Sequence, residues 1–361
     1  MSTLTPPDPG QPDPMALVAE LRRWGAELGF QQVGIAGTDL PEAERRLAEW
    51  LGAGYHGEMA WMAGHGHKRS RPAELVPGTL RVICARFDYW PAGATPAGSV
   101  LADPTRAYVA RYSLGRDYHR VLRTRLRALA GRLAAVAGPA GYRVFVDSAP
   151  VLEKPLAAAA GLGWIGKHTN LISPEAGSWF LLGEIFTDLP LPVDTPATDH
   201  CGTCTRCIAA CPTGAIVAPY VLDARRCIAY LTIELAGPIP AEFRAPMGNR
   251  VFGCDDCQLA CPWNKFARAT GCGDFAPRHG LDAAELATLF GWSEDEWSRR
   301  TEGSAIRRAG YLGWLRNLAV GLGNATRGDP AVVAALRARA SHPADLVREH
   351  VAWALARHGV A

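Results

Sequence analysis

The stretch Cys201-Gly-Thr-Cys204-Thr-Arg-Cys207-Ile-Ala-Ala-Cys211-Pro212 decides the fold of the middle of the chain, and Cys254-Asp-Asp-Cys257-Gln-Leu-Ala-Cys261-Pro262 answers it. The first run has the spacing of bacterial two-cluster ferredoxins, in which three cysteines hold one iron–sulfur cluster and the fourth ligates the other. The second run lacks one thiolate, because Val251 occupies the place a repeat would give it. Cys227, between the runs, is the replacement. Eight thiolates then serve two [4Fe–4S] clusters: Cys201, Cys204, Cys207 and Cys261 on one, Cys211, Cys227, Cys254 and Cys257 on the other. Zinc prefers tetrahedral sets such as two CxxC pairs, and three cysteines at i, i+3 and i+6 are not that spacing. A disulfide set needs an oxidising compartment, and the sequence shows no signal peptide.

Working outward, the 361 residues suggest two or three domains, and a hydrophobic content of 48% supplies a sizeable core. No apolar run approaches a membrane span. Residues 1–14 are proline-rich and polar, with neither an apolar segment nor a twin-arginine pair, so a disordered tail and a cytoplasmic, non-membrane protein are expected. Cys84 sits in an apolar strand and reads as a buried small side chain, and Cys272 has no evident partner. The net charge is +3, but eight arginines against three acids from Ser304 onward put +5 on that segment and −2 on the rest. A localised basic face points to a polyanion, or else to a solvated helix surface.

Residues 15–195 mix helices and strands without a strict β-α-β rhythm and read as an α+β sheet domain. Its expected helices are Met15–Gly29, Pro41–Leu51, Tyr118–Val136 and one begun by Pro150, a residue suited to a first helical turn. Its expected strands are Gln32–Ala36, Leu80–Tyr89, Tyr108–Tyr112, Tyr142–Val146 and two around the turn Pro174–Gly177. The two-cluster ferredoxin-like segment occupies 196–277. Residues 278–361 carry helical patterns joined by short loops, resembling a small α-solenoid, with Gly321 and Gly323 at a helix end.

Two clusters conduct electrons but are not a substrate site, so the preceding domain must hold a substrate, a second redox centre, or both. No glycine-rich dinucleotide or Walker motif opens a βα unit. Asp147, at the end of Tyr142–Val146, is the carboxylate best placed for catalysis. Apolar flanks would raise its pKa and make it a proton donor. Against this, Asp147 or Ser148 would serve equally as a helix cap. Asp117-Tyr118-His119 reads as a cap; Lys167, His168 and Asn170 as a pocket or as a solvated loop; Glu234 as a surface acid.

At this point the residues resemble a known family. Asp147-Ser-Ala-Pro-Val-Leu-Glu-Lys154, Gly161-Leu-Gly-Trp-Ile-Gly-Lys167, Gly177-Ser-Trp-Phe-Leu-Leu-Gly-Glu184, Thr187-Asp-Leu-Pro-Leu191 and the cysteine set with Cys227-Ile-Ala-Tyr-Leu-Thr are similar, together, to the epoxyqueuosine reductases. The resemblance covers nearly all of the chain after Met15. It implies a cobalamin-dependent enzyme with two [4Fe–4S] clusters that reduces epoxyqueuosine at the wobble position of a tRNA to queuosine. It also implies a cobalamin-binding N-terminal domain (15–195), a ferredoxin-like middle (196–277) and a HEAT-like tRNA-binding end (278–361). Asp147 is implied as proton donor. Arg69, Lys167, Asn170, Glu234 and Asp255 are implied around the corrin or substrate. A low-potential electron donor is a further implied partner, and a monomer is expected. Asp117-Tyr-His119 lacks the continuation of histidine-ligated cobalamin sites, which fits a corrin without a protein histidine below it. The competing reading is a dehalogenase-like corrinoid reductase of a small molecule, a class that typically carries a twin-arginine signal.

Overall fold

The computed structural model describes residues 13–138 and 141–360. Most of the expected disordered tail therefore lies outside the described residues. Helix α1 (Pro14–Glu27) starts one residue earlier than expected, because Asp13 accepts the free N–H groups of Met15 and Ala16 and Pro14 fills the first turn.

Four strands make the sheet: β1 (Gln32–Ala36), β2 (Arg81–Asp88), β3 (Tyr142–Phe145) and β4 (Phe180–Thr187). Their order is β1-β2-β4-β3, with every neighbour antiparallel. The two central strands carry apolar residues on both faces because successive side chains alternate. Ile83, Ala85, Phe87 and Ile185 enter the core shared with α1 and α2 (Tyr118–Ala137). Val82, Cys84, Leu182 and Phe186 enter the opposite core, under α3 (Glu153–Ala159). Glu184 belongs by register to that second face, directly across from Cys84.

Three local expectations are corrected. The helix after Asp147 begins at Glu153, not Pro150. The intervening residues are consumed by a tight turn in which Ser148, Ala149 and Val151 donate to Val146, Asp147 and Ala149. Neither Asp147 nor Ser148 caps the helix, whose N-cap is Leu152. Trp164–Asp188 is not one simple hairpin either: Trp164–Ile165 pairs with Leu171–Ile172, and β4 follows separately into the main sheet.

The strand Tyr108–Val109 leaves the sheet domain to pair in parallel with Arg250–Phe252 of the cysteine segment. Around it Val109, Leu114, Val251 and Phe252 share a core with Trp314 and Leu318 from the C-terminal helices. Those helices are α4 (Leu286–Gly291), α5 (Glu294–Arg300), α6 (Gly310–Gly323), α7 (Pro330–Arg337) and α8 (Asp345–His358). Gly323 is there for close approach: a Cβ would lie 2.5 Å from Trp353 Cζ3 and 3.0 Å from Ala354 Cα.

The arginines expected to make a basic C-terminal face are mostly spent on the structure. Arg316 is buried and donates to the carbonyls of Leu231, Leu235 and Gly237. Arg339, Arg348 and Arg357 donate to backbone carbonyls, Arg307 to Ser298, and Arg308 pairs with Glu234. Their charge stays, but six of the eight have their N–H groups committed.

Candidate active site

Asp147 ends β3 with φ at +51°, a conformation that a non-glycine residue holds only when its surroundings enforce it. They do so on both sides. The backbone N–H of Asp147 donates to the Glu153 carboxylate at the start of α3. Its side-chain Oδ2 receives the Tyr118 hydroxyl at 2.6 Å and lies 3.0 Å from His119 Nε2. His119 Nδ1 in turn lies 2.7 Å from Asp117 Oδ1, and the Tyr118 and His119 rings stack at 4.1 Å. Asp117 does cap α2, as expected. What the cap does not suggest is that its first two helical residues reach Asp147. The Asp147 side chain remains 54% exposed, so one face of the carboxylate is open to a reactant.

The expected raised pKa of Asp147 is corrected. Burial does push its carboxyl up, but hydrogen bonds from His119 and Tyr118 and the charges of His119 and Lys154 outweigh it and hold the carboxyl low. The proton resides next door. Burial pushes the His119 imidazole down, yet Asp117 and Asp147 on its two nitrogens bring it up to about 9. At neutral pH the pair is an imidazolium beside a carboxylate.

Behind Asp147 stand two further carboxyls. Burial, then the Asp147 charge, pushes Glu153 up to about 7. Glu184 is fully buried and pushed up strongly by burial and by Glu153, so it is the protonated member of the pair. Lys154 Nζ donates to Thr169 O and Asn170 Oδ1, both at 3.0 Å. Burial lowers its pKa against the charges of Cys257, Glu153, Asp147 and Cys227. It therefore stands between the acid group and one set of thiols. Lys154 and Asn170 also line a cleft of about 190 Å³ with Tyr112, Tyr118 and Phe180. That cleft adjoins Asp147 on one side and the cysteine segment, through Gln258, on the other.

The remaining expected residues fall in different places. Glu234 holds Arg308 at 2.8 Å, and Arg308 lies close enough to feel the Asp147 and Tyr118 charges, so both border the site. Asp255 is buried and pushed up to about 6 by burial; it accepts Tyr108 Oη and Arg111 N, each at 2.8 Å. That use is internal. Lys167 Nζ donates to the carbonyls of Gly202 and Cys204 at 2.6 and 3.0 Å, and so braces the first cysteine loop. Arg69 is buried, donates to Trp61 O and leaves its Nε without a partner.

All ten cysteines are free thiols. Cys201, Cys204, Cys207 and Cys261 line one cavity of about 110 Å³. Burial, then the neighbouring thiols Cys261 and Cys201, raise Cys207. In the second set burial raises all three of Cys227, Cys254 and Cys257; Asp256 and then Cys227 add to it at Cys254, Cys211 at Cys227, and Cys227 at Cys257. The first set thus shares one cavity, and Cys211, Cys227, Cys254 and Cys257 lie near enough for their charges to interact, a gathering that suits cluster ligands. The cleft lined by Lys154 and Asn170 lies between Tyr118, which holds Asp147, and Gln258 of the cysteine segment.

Residues 200–264 match the family model described as 4Fe-4S double cluster binding domain, and residues 69–148 match "Epoxyqueuosine reductase QueG, DUF1730". An epoxyqueuosine reductase of Pseudomonas aeruginosa is 64% identical, covering 96% of each chain. One of Escherichia coli is 56% identical, covering 94% of this chain and 89% of that one. A crystal structure of epoxyqueuosine reductase with a tRNA-Tyr epoxyqueuosine-modified tRNA stem loop superposes with a TM-score of 0.87 at 30% identity, covering 96% of this chain and 91% of that one. With the two cysteine sets in place and likeness of this degree along its whole length, the chain belongs to the epoxyqueuosine reductase family of iron–sulfur reductases.

Proposed function

We propose that the protein reduces the epoxide of epoxyqueuosine, at the wobble position of a tRNA, to the cyclopentene of queuosine. The balance is two electrons and two protons in, and one oxygen out as water. The observation that carries this reading is the Asp117–His119–Asp147 chain, with Tyr118, opening on a cleft whose wall includes Gln258, the residue after Cys257.

Each residue then has a task. His119 holds the proton, and the Asp147 carboxylate that faces the cleft takes it over and passes it to the departing epoxide oxygen; Asp117 and Tyr118 fix the geometry. A proton held in place rather than drawn from water is worth about 10²–10⁴ in rate. Cys201, Cys204, Cys207 and Cys261 hold one [4Fe–4S] cluster, and Cys211, Cys227, Cys254 and Cys257 the other. A cobalamin in the cleft supplies the low-potential two-electron chemistry. Lys154, Asn170 and Arg69 line its place; Glu234 with Arg308 closes the rim; Lys167 and Asp255 support the two walls.

In this reading residues 15–195 are the cobalamin-binding domain, 196–277 the ferredoxin-like domain and 278–361 a HEAT-like end. The protein works as a cytoplasmic monomer fed by a low-potential donor. Among the described residues no helix is long and apolar enough to cross a membrane. The test is to incubate reconstituted protein, cobalamin and a strong reductant with epoxyqueuosine-tRNA. Queuosine should appear in the nucleoside digest, and unchanged epoxyqueuosine would refute the reading.

A further inference from the structure

Six of the eight arginines from Ser304 onward have their N–H groups engaged, and a further gathering of arginines lies N-terminal to them. The start of α2, the loop near Arg278 and the end of α5 enclose a cleft of about 540 Å³. Arg116, Arg120, Arg125, Arg278 and Arg299 line it, against three acids. Two of those acids are already engaged: Asp274 lies near Arg116 and Arg125, at 3.5 and 3.6 Å, and Asp117 is bound to His119. Arg120 and Arg299 are exposed and make no ion pair or side-chain hydrogen bond among the described residues. Cations gathered around one cleft, two of them without an ion partner, raise the local positive potential and attract an anion. His279 adds a second sign of use, since it sits on the cleft at φ +55°.

The cleft also has a fixed relation to the chemistry. Asp117 belongs to its wall and is two hydrogen bonds from Asp147, by way of the His119 ring.

We propose that this cleft, between the start of α2 and α5, seats backbone phosphates of the RNA substrate, with Arg120 and Arg299 making direct phosphate contacts. The inference rests on the function proposed above and extends it by naming the surface that takes the polyanion. Phosphate contacts position a nucleic acid without reading its sequence, so these arginines should act alike on modified and unmodified RNA. The phosphates on this surface set the register that brings the wobble nucleotide to Asp147.

The experiment measures the affinity of the holoprotein for an anticodon stem–loop without the epoxide, across a salt series, together with KM for epoxyqueuosine-tRNA. The double variant Arg120→Ala/Arg299→Ala should bind about tenfold or more weakly, and its salt slope should fall by about 2. Its KM should rise by a similar factor. Arg120→Lys/Arg299→Lys, which keeps the charges, should recover most of the loss, and unchanged cluster absorbance shows that folding is intact. Affinity and slope equal to wild type in the alanine variant, with epoxyqueuosine-tRNA still reduced, overturn the cleft and leave the reaction standing. A wild-type protein that binds RNA through these arginines but never reduces the epoxide overturns the reaction and leaves the cleft.

Discussion

His119 Nε2 lies 3.0 Å from Asp147 Oδ2, although the two residues are 28 apart in the chain and belong to different elements. The contact makes one acid–base unit of a helix start and a strand end. It places the exchangeable proton at neutral pH on the imidazole, beside a carboxylate that faces the cleft.

The protonated imidazolium persists up to about pH 9, so turnover should be flat through neutrality and fall as pH rises through about 9. His119→Gln should cost about 10²-fold in kcat and abolish that alkaline limb. A pH–rate profile of both proteins checks it; an unmoved limb in the variant would place the titrating group elsewhere.

Asp147→Asn keeps the shape and removes the charge that holds the His119 proton. Turnover should drop by about 10²–10⁴, while RNA affinity and cluster absorbance stay as in wild type. Single-turnover assays with parallel binding measurements distinguish this from misfolding.

Glu153 has a folded pKa of about 7 against an ordinary 4.5. A raised acid contributes stability that is fully present below 4.5 and lost as pH rises through 7. Urea unfolding from pH 4.5 to 8 should show that decline, and Glu153→Gln, which still accepts the Asp147 N–H, should flatten it. Glu153→Ala removes the titrating group as well and should flatten the decline too.

Cys227→Ala and Cys261→Ala should each abolish one cluster and spare the other. Iron analysis after anaerobic reconstitution should fall from eight atoms per chain to about four. A Cys227 variant that retains eight would remove Cys227 from the ligand set.

Gly323→Val should destabilise the C-terminal helices by about 1–3 kcal/mol, because its side chain would collide with Trp353 and the Ala354 backbone. Thermal unfolding reads the loss, and a wild-type midpoint would show that the two helices can separate there.

The sequence by itself determined what depends on short-range spacing. The cysteine intervals dictate how many thiols each loop can bring to a cluster, and Cys201, Cys204, Cys207 and Cys261, read as one set, line one cavity. Near-continuous apolar runs likewise placed β1, β2 and β4, since a strand buried on both faces has few other ways to be written. Tertiary structure alone decided the acid chemistry. Asp117-Tyr118-His119 is a sufficient helix cap as written, and nothing local says that its next two side chains meet Asp147. A carboxyl's flanks suggest burial, but its pKa follows the partners that packing of α2 against β3 delivers. The fate of the arginines was equally hidden, because charge can be counted along a chain while the carbonyls that absorb it appear only when helices pack. Spacing is a property of the chain; an electrostatic environment is a sum over neighbours that only the fold assembles.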